Sequence, residues 1–188
     1  TGGTSFIVTN LWSQWKGPID EEKLSYVDRD LFYDKEYAEG FYKMADYHLE
    51  NAYMFDYSKD GTNRDVVNDL IKQFLYKGYS VDLSFYTKGY DESTNAAYTY
   101  YDHCLSNHSV TIVGWDDNYT ADNFDDNTGA WLVKNSWGSN FGDAGYFHLA
   151  YADTTHGSFA VYDLGENTNY ATNYQYDSFM PTQAMAAD

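Results

Sequence analysis

Two residues of this chain have the types and spacing of a proton-transfer pair. His108 opens the run "NHSVTIVGW", and Asn135 follows further along, in "KNSWG". An imidazole takes and returns protons near neutral pH, and a carboxamide beside it fixes one ring tautomer. Such a pair does chemistry when it faces a nucleophile, typically a thiol or hydroxyl. The chain has one cysteine, Cys104, four residues before His108. In an extended strand that gap is about 13 Å, at about 3.3 Å per residue, far beyond hydrogen-bond range. The β-branched "SVTIV" argues for strand from His108 onward, although a tight turn at "LSN" would shorten the gap. Cys104 therefore reads first as a loop thiol near a cleft.

The elements that must position the pair follow from periodicity. "GAWLVKN" and "SVTIVGW" read as strands, and the chain between His108 and Asn135 is ample for neighbouring strands to bring the two together. Trp137, two residues past Asn135, is placed to cover their hydrogen bond and keep water out. "GYFHLAY" and "SFAVYDL" supply further strands, and "YSVDLSFY" alternates Val81, Leu83 and Phe85 against Ser80, Asp82 and Ser84. The clearest helix is "TNRDVVNDLIKQFLYKG", with Val66, Val67, Leu70, Ile71, Phe74 and Leu75 on one stripe. Thr62 or Asn63 can cap its start, and Gly78 can end it. Phe6, Ile7, Leu11, Trp12 and Trp15 recur at mostly helical intervals, and "KGPID" closes that run. "YHLENAYMF", residues 47–55, looks like a strand, whereas 20–46 is charged, Tyr-rich and without a sharp period. Helices first and antiparallel-looking strands later indicate an α+β fold.

Composition narrows the function classes. The 188 residues suit one domain or a little more, and a hydrophobic content of 43% permits a real core. The formal charge of −18 repels nucleic acid and anionic lipid, so neither is expected as a partner. One cysteine excludes an internal disulfide framework and a Cys-rich zinc site. No apolar run approaches the roughly 20 residues that span a bilayer. The chain begins "TGGTSF", which reads as a fragment or a processed piece.

The motifs carry a family resemblance. "NHSVTIVGWDD" and "GAWLVKNSWGSNFGDAGYFHLAY" closely resemble the His and Asn motifs of papain-like cysteine peptidases of the C1 type. "VTIVGWDDNY" resembles bacterial exported members, which often carry a lectin-like or other surface module behind the peptidase. "TGGTSF" resembles the family's Gly-Gly turn, and "SQWKGPIDEE" follows it as in the bacterial members. The resemblance covers most of residues 2–163, strongly at 107–151 and weakly in 20–60. Phe141 departs from it, standing where the family usually has a second tryptophan.

That resemblance implies a papain-like cysteine peptidase fold truncated at the N-terminus, with its antiparallel, β-barrel-like half largely complete and its helical half incomplete. Residues 1–165 would form the peptidase domain, and 166–188 a linker or the start of a following module. His108 would be the general base and Asn135 its orienter, with Trp137 supporting them. Gly2 and Gly3 would hydrogen-bond an extended substrate as an added strand does. Asn107 would lie near the pocket for the side chain preceding the cleaved residue. The nucleophile would be a Cys at the start of a long helix, where the dipole and an imidazolium stabilise thiolate. In such proteases His and Asn follow the Cys by about 130–150 residues. Counting back from His108 lands before Thr1, so the thiol and the oxyanion-hole Gln are expected outside this chain, which alone would be inactive. The resemblance implies a peptide or protein substrate, no cofactor, an extracellular or cell-surface location, and a lectin-like or cell-wall module in the same polypeptide.

Plainer readings bound the rest. His48, His103, His148 and His156 have no metal-ligating spacing with carboxylates, so no metal is expected. "DDNYTADNFDD", 116–126, lacks the sixth-position Gly and closing Glu of an EF-hand loop and reads as an exposed loop between strands. "NHS" at 107 and "NYT" at 118 match glycosylation acceptors, but a glycan at the first would block the cleft. A papain-like scaffold without catalysis, binding carbohydrate or protein as a surface module, is the rival from another class. A two-chain enzyme whose light chain supplies the thiol is a third reading.

Overall fold

The computed structural model describes residues 4–24, 40, 44–100 and 105–169. Gly2, Gly3, His103, Cys104 and most of the expected linker lie outside the described residues. The chain forms two compact units, Tyr53–Val161 and, together, Thr1–Ala52 with Tyr162–Asp188.

The larger unit is built on helix α2 (Arg64–Tyr76) and the strands β2 (Val81–Phe85), β3 (Tyr90–Asp91), β4 (Ala96–Ala97), β5 (His108–Asp116), β6 (Ala130–Lys134) and β7 (Tyr146–Ala150), joined by the start of β8 (Phe159–Glu166). The strands lie in the order β8-β2-β5-β6-β7-β4-β3. Pairing is antiparallel except between β4 and β7, which run parallel over two residues. The alternation read in "YSVDLSFY" is the observed one: Val81, Leu83 and Phe85 are buried, and Asp82 and Ser84 are half-buried. With Val110, Ile112, Trp131, Val133, Phe147 and Leu149 they form the core, which α2 covers through Val67 and Ile71.

Both ends of α2 explain its length. Asn63 occupies the N-cap position, but its side-chain oxygen accepts the backbone N–H of Ser58 at 2.6 Å and makes no cap bond. At the other end Gly78, at φ +91°, lets its N–H donate to Leu75 O at 3.0 Å while Tyr79 N–H donates to Phe74 O at 3.1 Å. This double return is a Schellman motif, and its usual apolar contact is the Phe74–Tyr79 ring pair, 5.9 Å apart.

The acid-rich segment 116–126 is a loop between β5 and β6, and it is anchored. Phe124 is fully buried in a small cluster with Ala96, Ala130 and Ala150, against Tyr98 and Tyr119. Asp153 is buried as well, and its carboxylate accepts Thr99 N–H, Thr155 N–H and the Thr155 hydroxyl at 2.8, 2.7 and 2.6 Å. Such bonds are what makes a buried carboxylate tolerable.

In the smaller unit, α1 (Ser5–Ser13) begins where the apolar interval pattern places it. Thr4 caps it, accepting Ile7 N–H on its hydroxyl. None of its residues is buried, and Phe6 is 75% exposed. Its Trp12 meets Tyr162 edge to face at 4.9 Å, and the Tyr162 hydroxyl donates to Ser5 O. The segment read as a strand at 47–55 is β1 (Tyr47–Phe55), next to β8 in the strand order. His48 Nδ1 lies 3.0 Å from Asn167 Oδ1, and Asn167 Nδ2 donates to Ala45 O.

Candidate active site

Strand pairing brings the pair together. The β5–β6 register sets Thr111 opposite Lys134 and Ile112 opposite Val133. Asn135 follows directly on β6, which ends at Lys134. Residues 108, 110 and 112 share one face with Val133, the face that holds the core. His108 Nε2 lies 2.8 Å from Asn135 Oδ1.

The atoms can be assigned from chemistry. Asn135 Oδ1 also accepts the backbone N–H of Ser136 at 2.7 Å. A backbone N–H only donates, so the side-chain atom facing it must be the oxygen. An oxygen facing His108 then requires the hydrogen on Nε2, which leaves Nδ1 as the ring nitrogen with a free lone pair. Asn135 is itself held: its N–H donates to Gly145 O at 2.9 Å, and its side chain is buried. Gly145 sits at φ +95°, a conformation that favours glycine.

Aromatic rings flank the imidazole. Trp137 stacks on the imidazole with centroids 4.7 Å apart and planes at 29°. Phe141 meets Trp137 edge to face at 4.9 Å and lies 4.7 Å from Tyr90. On the other side Phe85, paired with His108 in the β2–β5 ladder, presents its ring 6.1 Å away. Nothing in the sequence marks Phe85 as a neighbour of the imidazole. Its place facing His108 depends on pairing between two strands separated by a long excursion of chain, which periodicity does not specify.

Asn107 is exposed, and its side chain is engaged. The Oδ1 accepts Thr87 N–H at 3.0 Å, and its own N–H donates to Phe85 O at 2.9 Å, tying the turn after β2 to the start of β5. Gly2 and Gly3 lie outside the described residues, as does Cys104. Among the described residues no three His, Cys, Asp or Glu side chains are grouped to hold a metal ion. His148 stacks on Tyr119 at 3.8 Å, and His156 lies against Tyr57 and Phe159.

Comparison with known proteins gives concordant results. The chain matches the family described as papain family cysteine protease over residues 1–164. It is 38% identical over 68 residues to cysteine proteinase 3 of Entamoeba histolytica, covering 36% of this chain and 18% of that protein. Mouse cathepsin S is 46% identical over 56 residues, 30% of this chain and 14% of that protein. The chain thus spans less than a fifth of the length of these relatives. Among solved structures, the clostridial cysteine protease Cwp84 after propeptide cleavage superposes with a TM-score of 0.63 at 24% identity, over 87% of this chain and 41% of that one. A second structure, of the cysteine protease and lectin-like domains of Cwp84 from Clostridium difficile, gives 0.61 at 24% identity, over 84% and 35%. The match in fold and the family assignment over most of its length agree: this chain belongs to the papain family of cysteine proteases.

Proposed function

We infer that this chain carries the base and orienting half of a papain-type peptidase, completed by a thiol from polypeptide beyond these 188 residues. The observation that carries the reading is the 2.8 Å contact between His108 Nε2 and Asn135 Oδ1, with the tautomer fixed by Ser136. Nδ1 is then the working nitrogen. A thiolate attacks the peptide carbonyl carbon, and the His108 imidazolium gives its Nδ1 proton to the departing amine nitrogen as the C–N bond breaks. An acyl-thioester remains. His108, now neutral, takes a proton from water as the oxygen attacks the thioester carbon, and the acid leaves while thiolate re-forms. Asn135 accepts the Nε2–H throughout.

Cys104 is a poor source of that thiol. From Ser106 onward the chain already tracks β2, with Ser84 Oγ donating to Ser106 Oγ at 3.0 Å and Asn107 N–H bound to Phe85 O. The extended run leading into His108 supports a thiol arriving from elsewhere. Cwp84 is a surface-layer-associated protein with a lectin-like domain, which supports an extracellular or cell-surface peptidase with a binding module in the same polypeptide.

The test is expression of the complete coding region and assay against a mixed peptide library. Expected is hydrolysis abolished by iodoacetamide and by His108→Ala, but unaffected by Cys104→Ser. Loss of activity in Cys104→Ser, or activity surviving alkylation, would overturn the reading.

A further inference from the structure

A cleft opens two ring contacts away from His108. Trp137 stacks on the imidazole at 4.7 Å and meets Phe141 edge to face at 4.9 Å. Phe141 and Tyr90, 4.7 Å apart and both half-buried, line a cleft of about 610 Å³. Its walls are the turn between β3 and β4 and the turn that leads into β7. Phe141 is also the position where the sequence departs from the usual second tryptophan, so a smaller ring stands at this place.

The two walls are fastened to each other. The Tyr90 hydroxyl donates to Asn95 Oδ1 at 3.0 Å, and Asn95 Nδ2 donates to Tyr146 O at 3.2 Å. Gly142, at φ +53°, makes room for that bridge, since a Cβ there would run into Asn95 Oδ1 and Tyr146 O. The rings are therefore held before any ligand arrives, which spares a ligand the cost of ordering them.

Charge then selects the occupant. Glu92 on one wall and Asp143 on the other are exposed. Among the described residues neither carboxylate has a hydrogen bond or an ion pair. No Lys or Arg lines the cleft, so nothing in its lining offsets the two charges. Free carboxylates beside aromatic faces suit a guanidinium or an ammonium, which pairs with the first and lies over the second. An anion is repelled by the same carboxylates, and a neutral side chain gains from the rings alone.

The cleft's place relative to the chemistry says which part of a substrate reaches it. The departing peptide nitrogen takes its proton from His108 Nδ1, so the segment after the cleaved bond starts beside the imidazole. Of the two rings flanking that imidazole, Phe85 is buried and Trp137 is 50% exposed, which leaves Trp137 as the open path toward Phe141. An extended peptide advances about 3.3 Å per residue, so two ring contacts amount to roughly two or three residues.

Resting on the peptidase reading, we propose that Glu92 and Asp143 select an arginine or lysine at the second or third residue after the cleaved bond. The stem of that side chain lies on Tyr90 and Phe141, and its charge pairs with the two carboxylates.

The experiment takes the complete protein and a set of internally quenched peptides. All share one acyl side, drawn from a sequence cleaved in the mixed library, and carry Arg, Ala or Glu at those two positions. Expected is a kcat/KM about tenfold higher with Arg than with Glu, the cut falling at the same bond by mass spectrometry. The double variant Glu92→Lys with Asp143→Lys should reverse the order and place Glu ahead of Arg. Both side chains are exposed, so the variant keeps the fold, which circular dichroism verifies. Equal kcat/KM for the three peptides overturns the proposal and leaves the peptidase reading standing. So does an Arg preference that the double variant keeps, or a loss that falls on all three peptides alike. Hydrolysis of no peptide by the unsubstituted protein overturns the peptidase reading, and the proposal with it.

Discussion

The carboxamide oxygen of Asn135 stands between two donors, the Ser136 N–H at 2.7 Å and the His108 Nε2–H at 2.8 Å. The first bond is made by backbone and cannot be inverted, so it decides which nitrogen of His108 is protonated. Removing the oxygen frees the ring to take the other tautomer or to rotate. Asn135→Ala is expected to lower kcat of the complete protein about 10²-fold or more, with KM little changed, as when an orienting partner is lost from a general base. Asn135→Asp keeps the acceptor oxygen and should retain more activity than Asn135→Ala. Steady-state kinetics on both variants checks this; equal losses would mean that the oxygen does not set the ring.

Trp137 lies 4.7 Å from His108 in a near-parallel stack and is itself 50% exposed. Its ring lies against the imidazole and contributes about 1 kcal/mol of ring contact. Trp137→Ala should lower kcat about tenfold, and Trp137→Phe should restore most of it. Because Trp137 contributes through the imidazole, the loss in Trp137→Ala should fall on kcat, with KM little changed, while global stability holds. A loss of activity matched by an equal loss of melting temperature would assign Trp137 to packing instead.

The distribution of sequence signals explains what was legible. Parity is local, so the odd-numbered face of β2 could be read from alternation, whereas the meeting of His108 and Asn135 rests on contacts between separate elements that alternation does not specify. α2 was readable to its terminal glycine because the Schellman end is written within a single turn of chain. The Asn63 cap failed for a physical reason: its oxygen has a better partner in Ser58, a competition that a cap motif does not encode. Also invisible were the bulge at Val113, which depends on pairing with β6, and the parallel β4–β7 contact between short segments far apart in the chain.

His156 gives the larger unit a pH dependence. Its ring nitrogens are buried and have no hydrogen-bond partner among the described residues. Burial first, and the Arg64 guanidinium second, lower its pKa to about 3. An unfolded histidine titrates near 6.5, so the folded state binds fewer protons between these values. The stability is fully present above about pH 6.5 and is lost as pH falls toward 3, at up to about 1.4 kcal/mol per pH unit. Asp153 acts with the opposite sign: burial raises its carboxyl above the ordinary range, so its protonation in the folded state partly offsets the loss. Urea midpoints from pH 7 to pH 4 should fall steeply, and His156→Phe, a ring of similar size beside Tyr57 and Phe159, should flatten the decline. An unchanged slope in that variant would assign the acid sensitivity to other groups.

Gly145 tests whether backbone strain reaches the site. It holds φ +95°, and its carbonyl accepts the Asn135 N–H at 2.9 Å. A Cβ built on it would stand 3.3 Å from Gly138 O, closer than ordinary contact. Gly145→Ala therefore meets an unfavourable backbone conformation and a tight neighbour at once, together costing about 1–3 kcal/mol. Relief by rotating the peptide would pull the carbonyl away from Asn135 and shift its side chain relative to His108. Displacements on the order of 1 Å in a positioned group cost up to about 10²-fold in rate. Gly145→Ala should thus lose more in kcat than its stability change alone explains under conditions where it is still fully folded. Gly78→Ala, at φ +91° with no atom within 4 Å of its Cβ, is the control: a similar stability loss with kcat unchanged. Unaltered kcat in folded Gly145→Ala would mean that Asn135 is held by its side-chain bonds alone.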